Sequence, residues 1–123
     1  NAGHESILVF DQNKNYEYIK SEMPPIGIVK YFTESMVKST TMNLKDKTFV
    51  VYTDGVTEGY LKNGKELEAE GVQKIINNIE NVTPKNIVLS IEKELNWGSE
   101  KLRDDITCMA INIKNTELIK KNK

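Results

Sequence analysis

The apolar positions at the start of the chain fall into short runs that are typical of β-strands. Ser6–Phe10 is apolar and rich in branched residues, a polar cluster follows at 11–15, and Tyr16–Ile19 is a second short run. A polar turn between two such runs predicts a hairpin. The Thr, Val, Tyr and Phe content further on predicts two more strands, at Ile28–Phe32 and Met36–Met42.

Two later apolar runs lie on either side of a polar stretch. Thr48–Thr53 is apolar on both faces, which predicts a central, buried strand. Ile106–Ile113 has the same character, and we expect a strand that is also buried on both faces. The intervening segment Thr57–Gly64 is polar and contains glycine, so it is expected to be a loop or at most a short helical turn.

Two helices are predicted between these strands. The first has apolar residues at the spacing i, i+3, i+4, i+7: Val72, Ile75, Ile76 and Ile79. The second begins with Thr83 as the cap and Pro84 at the first helical position, and it ends around 96–99. Its apolar stripe is formed by Ile87, Val88, Ile91 and Leu95. Strands on both sides of a helix pair predict an α+β domain, with antiparallel strands and two helices packed on one face.

Composition excludes several classes of protein. The chain has 123 residues, with 17 basic and 18 acidic side chains and a net charge of -1. This is the size of one domain, and the balanced charge argues against a nucleic-acid partner. No stretch approaches the roughly 20 apolar residues of a membrane helix. The single cysteine, Cys108, cannot form an internal disulfide and is interpreted as a small buried residue, so we expect a cytoplasmic protein.

Carboxylates stand at the ends of the two most apolar predicted strands. Asp54 follows the first of these strands and is succeeded by Gly55, while Asp104 and Asp105 precede the second. If the two strands are antiparallel neighbours, these side chains converge at one edge of the sheet. Clustered carboxylates repel each other unless a cation neutralises them, and Mg²⁺ or Mn²⁺ prefers oxygen ligands. The alternative is that Asp54 belongs to a plain turn and Asp104 is a turn residue or pairs with Arg103.

Four segments taken together resemble one family of enzymes. They are Asn-Ala-Gly-His at 1–4, Pro-Ile-Gly at 25–27, Tyr-Thr-Asp-Gly-Val-Thr-Glu at 52–58 and Asp-Asp-Ile-Thr at 104–107. In order and approximate spacing they resemble the SpoIIE-type, or RsbU-like, serine phosphatases, which are PPM (type 2C-like) metal-dependent protein phosphatases. The resemblance implies that residues 1–113 form the C-terminal part of such a domain, a partial β-sandwich, and that 114–123 is a polar tail.

The resemblance also implies a site. It predicts a binuclear Mn²⁺ or Mg²⁺ centre whose activated water hydrolyses phosphoserine or phosphothreonine. Asp54 and Asp104 match metal ligands, and Asp105 is either a further ligand or a residue that orients the site. Gly55 is expected to shape the turn, and Glu58 and His4 are supporting residues. His4 can equally be a surface histidine near the chain terminus.

The function implied is dephosphorylation of a protein in bacterial partner-switching signalling, with a phosphorylated STAS-type anti-sigma-factor antagonist, or a similar protein, as substrate and sigma-factor regulation as the output. The family's first metal-binding aspartate, in an Asp-x-x-Gly-His-Gly-like segment, is expected before Asn1, so this chain alone is expected to be inactive. The alternative is a non-catalytic phosphatase-like binding module. Asp46-Lys47 replaces the family's usual Gly-Asp, and Leu67-Glu68 replaces its usual Phe-Gly. Exposed strand edges predict self-association.

Overall fold

The computed structural model describes residues 1–95 and 104–114. The predicted helix end at 96–99, Arg103 and most of the polar tail therefore lie outside the described residues. The elements are β1 (Ile7–Phe10), β2 (Tyr16–Ile19), β3 (Thr48–Tyr52), α1 (Asp54–Thr57), α2 (Glu68–Asn77), α3 (Pro84–Glu94) and β4 (Cys108–Asn112), with a 3-10 turn at Glu34–Met36. None of the described helices has the length and apolar character needed to cross a bilayer.

The strands form one antiparallel sheet in the order β2-β1-β3-β4. Leu8 lies opposite both Tyr18 on β2 and Val50 on β3, and Val50 lies opposite Ala110 on β4. The predicted hairpin is confirmed, and so is the antiparallel pairing of the two strands that carry the carboxylates. The N-terminal end of β1, the C-terminal end of β3 and the N-terminal end of β4 therefore share one end of the sheet.

One face of the sheet is covered by helices α2 and α3. Alternate residues of the strands point to that face. The predicted apolar stripe of α2 packs against it, as do Ile87, Ile91 and Leu95 from the stripe predicted for α3, whereas Val88 lies outside the core cluster. The predicted α+β arrangement is confirmed. The buried core consists of Leu8, Phe10, Val50, Tyr52, Val56, Leu67, Val72, Ile76, Ile87, Ile91 and Leu95.

Hydrogen bonds stabilise the N-terminus of α3 and the C-terminus of α2. Thr83 Oγ1 accepts a hydrogen bond from Asn86 N at 3.2 Å, so the predicted cap of α3 is confirmed. At the C-terminal end of α2, the Lys14 ammonium donates to three carbonyl oxygens, with the shortest contact of 2.9 Å to Asn77 O. A cation at a helix C-terminus also interacts favourably with the helix dipole. The hairpin and α2 are thereby held together.

The two strands predicted at Ile28–Phe32 and Met36–Met42 are wrong. This region instead contains turns and the single 3-10 turn, and Ile28 and Tyr31 are 73% and 76% exposed. Val, Thr, Tyr and Phe favour strands because they pack well against neighbouring strands on a half-buried surface. In the described part of the chain no neighbouring strand pairs with this segment, so its residues do not form a strand despite their β-propensity.

The burial predicted for Ile106–Ile113 is also wrong. The strand is shorter, Cys108–Asn112, and Met109 and Ile111 on one face are 50% and 43% exposed. The reason is that β4 lies at the edge of the sheet and α3 covers only one of its faces. β3 is an inner strand as predicted, although its second face is only partly buried. A short helix, α1, forms directly after β3 and before most of the predicted loop at Thr57–Gly64.

Candidate metal site

The first acidic motif forms an abrupt strand-to-helix junction. β3 ends at Tyr52, Thr53 is the N-cap residue, and Asp54 is already the first residue of α1. Asp54 is exposed, whereas Gly55 and Val56 are buried behind it. Its Oδ1 accepts a hydrogen bond from Gly55 N at 2.9 Å. The carboxylate is thus presented to solvent from a backbone that is itself fixed in the core.

The Thr53 hydroxyl joins this junction to the second acidic motif. Thr53 Oγ1 donates to Asp105 O at 3.1 Å and accepts from Thr107 N at 3.1 Å. Thr53 N also donates to Thr107 O at 3.0 Å. Thr53 therefore makes no side-chain cap to α1 although it occupies the N-cap position. Three hydrogen bonds hold the segment before β4 against the end of β3.

Gly55 is where the two motifs come into closest contact. A Cβ atom built on Gly55 would overlap the carbonyl oxygen of Asp105 and would lie 3.0 Å from its carbonyl carbon. The carbonyl oxygen of Asp104 would be 3.5 Å away. Backbone cannot move aside as a flexible side chain can, so only glycine fits at this position. Gly55 allows the close approach of two backbones, in addition to the turn that its place in the sequence suggested.

Asp104 and Asp105 lie at the same end of the sheet as Asp54. Both are exposed, and Asp104 Oδ1 accepts from Asp105 N at 2.7 Å. Asp54, Asp104 and Asp105 are called the carboxylate edge below. Their main chains meet through Gly55 and Thr53, so the predicted convergence of the two acidic motifs is present at the level of the backbone.

The two supporting residues, His4 and Glu58, lie on different segments at the same end of the sheet. His4 is exposed and lies just before β1. Its backbone N–H donates a hydrogen bond to Asn1 Oδ1 at 3.0 Å. Its ring Nδ1 lies 3.1 Å from Glu5 O. Glu58 is the exposed C-cap residue of α1, and its N–H donates to Asp54 O at 2.8 Å. Within residues 1–95 and 104–114, neither side chain hydrogen-bonds to the carboxylate edge.

Two weakly acidic side chains, the buried Tyr52 and the partly buried Cys108, lie on the strands next to the carboxylate edge. Tyr52 and Cys108 are directly opposite each other on β3 and β4. Burial is the main cause that raises the pKa of Tyr52 to about 12, and burial raises the pKa of the Cys108 thiol to about 11. Both groups are therefore neutral near pH 7 and are poor nucleophiles there. The interpretation of Cys108 as a buried residue holds only in part, because Cys108 packs against the core but is only partly buried.

The chemistry of the donor set fits a hard divalent cation. Carboxylate oxygens are the ligands that Mg²⁺ and Mn²⁺ prefer, and Gly55 provides the close approach that brings the two motifs together. Within residues 1–95 and 104–114, no group of three or more His, Cys, Asp or Glu side chains is arranged so that it could hold a metal ion. Among those residues, the carboxylate edge does not by itself form a complete metal site.

Two residues with a clear part in this geometry were missed at the sequence level. Thr53 and Thr107 both stand in the motifs, yet neither was assigned a role. The signal was present for Thr53, because a threonine directly before an aspartate at a strand end can hydrogen-bond to nearby backbone. What could not be read from the sequence is that the Thr53 hydroxyl bonds to the other motif rather than to its own helix.

Comparison with protein families decides the identity of the chain. The family model described as Stage II sporulation protein E (SpoIIE) matches residues 1–114. The chain belongs to the SpoIIE family. This SpoIIE-family match extends over the motifs that carry the carboxylate edge as well as the helices between them. It confirms the resemblance found in the sequence.

A solved structure is similar to this SpoIIE-family chain in fold. The SiaA-PP2C domain of Pseudomonas aeruginosa matches with a TM-score of 0.60 and 18% sequence identity. The match covers 91% of this chain and 44% of that one, so the chain spans less than half of the length of the structure it matches. No curated protein matches the sequence. The structural match supports the fold, and the family model supports a phosphatase-type domain.

Proposed function

We propose that residues 1–113 are the C-terminal part of a metal-dependent phosphatase domain that hydrolyses phosphoserine or phosphothreonine in a protein. The observation that carries this proposal is the contact at Gly55, where only glycine lets the backbone of Asp54 reach that of Asp104 and Asp105. A plain turn after a strand does not require such an approach to a second acidic motif fifty residues away. Membership of the SpoIIE family supports the same reading.

The carboxylate edge supplies protein ligands in this proposal. Asp54 and Asp104 hold Mn²⁺ or Mg²⁺, and Asp105 either adds a ligand or orients its neighbour. When bound, such cations supply charge neutralisation at the phosphate and a more acidic water. Thr53 fixes the distance between the two motifs through its bonds to Asp105 and Thr107. The backbone that carries the ligands is thus set before any ion arrives.

We expect the remaining ligands to come from parts of the family's domain that these residues do not include. The match to the SiaA-PP2C domain covers 44% of that chain, and the described residues contain no group of three or more His, Cys, Asp or Glu side chains that could hold a metal ion. We therefore expect the chain alone to be inactive, and we call the polypeptide that also contains the rest of the domain the complete domain. Its substrate is a phosphorylated cytoplasmic protein of the STAS type, or a similar protein, in partner-switching control of a sigma factor.

The proposal is tested by measuring Mn²⁺-dependent release of phosphate from a phosphoprotein by the complete domain. The wild type is compared with Asp54→Asn, which keeps the size of the side chain and removes its charge. Loss of a group that merely orients a ligand costs about 10- to 100-fold, so loss of a ligand is expected to lower kcat/KM by at least about 100-fold. Asp11→Asn is the matched control, because Asp11 is an aspartate in a turn at the opposite end of the sheet.

Two results would contradict the proposal in different ways. Equal activity of the wild type and Asp54→Asn would remove Asp54 from the site while leaving a phosphatase. No metal-dependent release by a folded complete domain would instead favour the alternative, a phosphatase-like module that binds a protein without catalysis. Retention of activity in Asp11→Asn is required for either comparison to be read as an effect on the site.

A further inference from the structure

The first two of the four motif segments have no part in the carboxylate edge, and the structure brings them together. Gly3 has a φ of 74°, and a Cβ atom built on it would overlap the ring of Pro25. Both the φ angle and the contact therefore require glycine at this position. Gly3 N also donates to Ser21 Oγ at 2.6 Å. Residues 1–4 and 21–25 hold each other in place, and they are called the clasp below.

The clasp fixes the main chain of His4 through the side chain of Asn1. Asn1 Oδ1 accepts a hydrogen bond from His4 N at 3.0 Å. Asn1 Nδ2 donates to Glu5 O at 3.1 Å. One carboxamide thus bonds to the backbone of two successive residues, and Gly3 immediately before them is held by its contact with Pro25.

The ring of His4 is oriented as well as its backbone. His4 Nδ1 lies 3.1 Å from Glu5 O, and because a carbonyl oxygen can only accept, Nδ1 carries a hydrogen and donates it. Nε2 then has a lone pair in the neutral ring and an N–H in the protonated ring. His4 is exposed, and in the described residues its Nε2 makes no hydrogen bond. The clasp therefore presents one ring nitrogen that is available to a ligand.

The sheet register places His4 level with the carboxylate edge. Leu8 on β1 lies opposite Val50 on β3. Counting four residues from this pair toward that end of the sheet reaches His4 on one segment and Asp54 on the other. The His4 ring does not hydrogen-bond to the carboxylate edge within the described residues. A residue that contacts a bound phosphate, and not the cation, needs to lie beside the carboxylates in this way without bonding to them.

We propose that His4 hydrogen-bonds to the phosphoryl group of the phosphoprotein substrate, and that the clasp positions it for this contact. The inference rests on the proposed function, because it names the residue that contacts the phosphate in that same site. A phosphoryl oxygen accepts, so the ring is protonated in the complex and both of its nitrogens donate, Nδ1 to Glu5 O and Nε2 to the phosphate. Asn1, Gly3 and Pro25 are positioning residues.

The orientation of the ring is tested by nitrogen-15 NMR of the 123-residue chain. His4 is the only histidine of the chain, so the imidazole signals belong to one ring. At a pH at which the ring is neutral, we expect the proton on Nδ1 and not on Nε2. Asn1→Ala is expected to move the proton population toward Nε2, with circular dichroism as the check on folding. A wild-type ring with its proton on Nε2 would overturn the proposal.

The contact itself is tested by calorimetric titration of the complete domain with inorganic phosphate in the presence of Mn²⁺. His4→Asn is expected to raise the dissociation constant of phosphate by about tenfold or more, because a hydrogen bond from a charged donor is lost. Its Mn²⁺ binding in the absence of phosphate is expected to equal that of the wild type. Lys20→Gln is the matched control, since it removes an exposed positive charge at the same end of the sheet. Screening by salt limits its effect on the phosphate constant to less than about twofold.

Two results of the titration would overturn the proposal. The first is an unchanged phosphate constant in a folded His4→Asn variant. The second is weaker Mn²⁺ binding by that variant, because His4 would then be a ligand of the metal. Neither result resembles failure of the proposed function, in which the wild type itself releases no phosphate from a phosphoprotein in the presence of Mn²⁺.

Discussion

Two acidic turns at opposite ends of the sheet use their carboxylates in different ways. Asp11 follows β1, and its Oδ1 accepts from Asn13 N and Asn15 N at 2.8 and 3.0 Å while its Oδ2 accepts from Asn15 Nδ2 at 2.8 Å. Asp54 follows β3, and in the described residues its carboxylate accepts one hydrogen bond, from Gly55 N. Asp11 is a structural carboxylate that the chain itself saturates, whereas Asp54 keeps acceptor capacity for a ligand.

The two turns differ in which groups make the hydrogen bonds, and that difference decides whether the carboxylate can accept a ligand. At the Asp11 end, the neighbouring groups bond to one another, as when Lys14 donates to carbonyls of α2. At the Asp54 end, the hydrogen bonds are made by the Thr53 backbone and hydroxyl, and they align a second acidic motif. The backbone is held tightly and the carboxylates are left exposed. This arrangement is suited to binding a cation.

The largest effect on stability is expected from Gly55→Ala. The added methyl group would overlap the Asp105 carbonyl, and since Gly55 does not have a positive φ, the clash is the only penalty. Overpacking against backbone is expected to lower the free energy of unfolding by about 3 kcal/mol, measured by urea unfolding. Gly64→Ala is the control, because Gly64 has a φ of 77° and open space around it. Its strain is expected to cost about 1 kcal/mol.

If Gly55→Ala proves no more destabilising than Gly64→Ala, the two motifs are not in contact and the comparison between the two turns fails. The Gly55 variant is also expected to disturb metal binding in the complete domain, whereas the Gly64 variant is not.

A smaller effect is expected from Thr53→Val, which keeps the shape of the side chain and removes its hydroxyl. The variant loses the bonds to Asp105 O and Thr107 N, and we expect the free energy of unfolding to fall by about 1–2 kcal/mol. Thr57→Val on α1 is the matched control, since in the described part of the chain the Thr57 hydroxyl donates to Asp54 O within the same turn and does not bridge to the other motif. The control is expected to change unfolding by less than about 0.5 kcal/mol. Equal effects of the two variants would deny Thr53 its bridging role.

The smallest effect concerns the pH dependence of the Asp11 turn. The hydrogen bond from the Asn15 side chain, followed by that from the Asn15 backbone, lowers the pKa of Asp11 from its ordinary value of 3.8. A lowered pKa in the folded state stabilises the protein above the unfolded pKa, and this contribution is lost as pH falls through the folded value. The difference in midpoint of unfolding between wild type and Asp11→Asn is therefore expected to be largest at neutral pH and to shrink below about pH 3.8.

Asn43→Ala provides the neutral comparison for that experiment. Asn43 Oδ1 accepts from Lys45 N at 3.0 Å in another turn, and its amide does not titrate. Its effect on unfolding is expected to be independent of pH over the same range. A difference for Asp11→Asn that is equally flat would show that the hydrogen bonds to Asp11 are absent in solution.

The sequence predicted the elements whose patterns are local. The hairpin of β1 and β2, the cap of α3 at Thr83 and the position of β3 inside the sheet all follow from periodicity and turn chemistry. The strands predicted in 28–42 failed because β-propensity depends on a neighbour that a single segment cannot reveal. The burial predicted for Met109 was wrong for a related reason, since only the order of the strands places β4 at the edge.

The backbone at two departures from the family pattern has a conformation that the sequence did not suggest. Asp46 and Glu68 stand where the family usually has glycine, and their φ angles are 57° and 58°. A side chain in this left-handed region is strained by about 1–2 kcal/mol. Both positions thus have a backbone conformation that glycine adopts more readily than aspartate or glutamate. For the candidate site, the sequence located the acidic residues, and the structure added the contact between their backbones.

The most direct test of the central claim is calorimetric titration of the complete domain with Mn²⁺, without any substrate. The account predicts that Asp54→Asn weakens Mn²⁺ binding by at least about tenfold, since even residues that only orient a ligand cost about 10- to 100-fold in metal affinity. Asp11→Asn, at the saturated turn, is predicted to bind Mn²⁺ as the wild type does. Undiminished Mn²⁺ binding by a folded Asp54→Asn variant would contradict the claim that the carboxylate edge holds the metal.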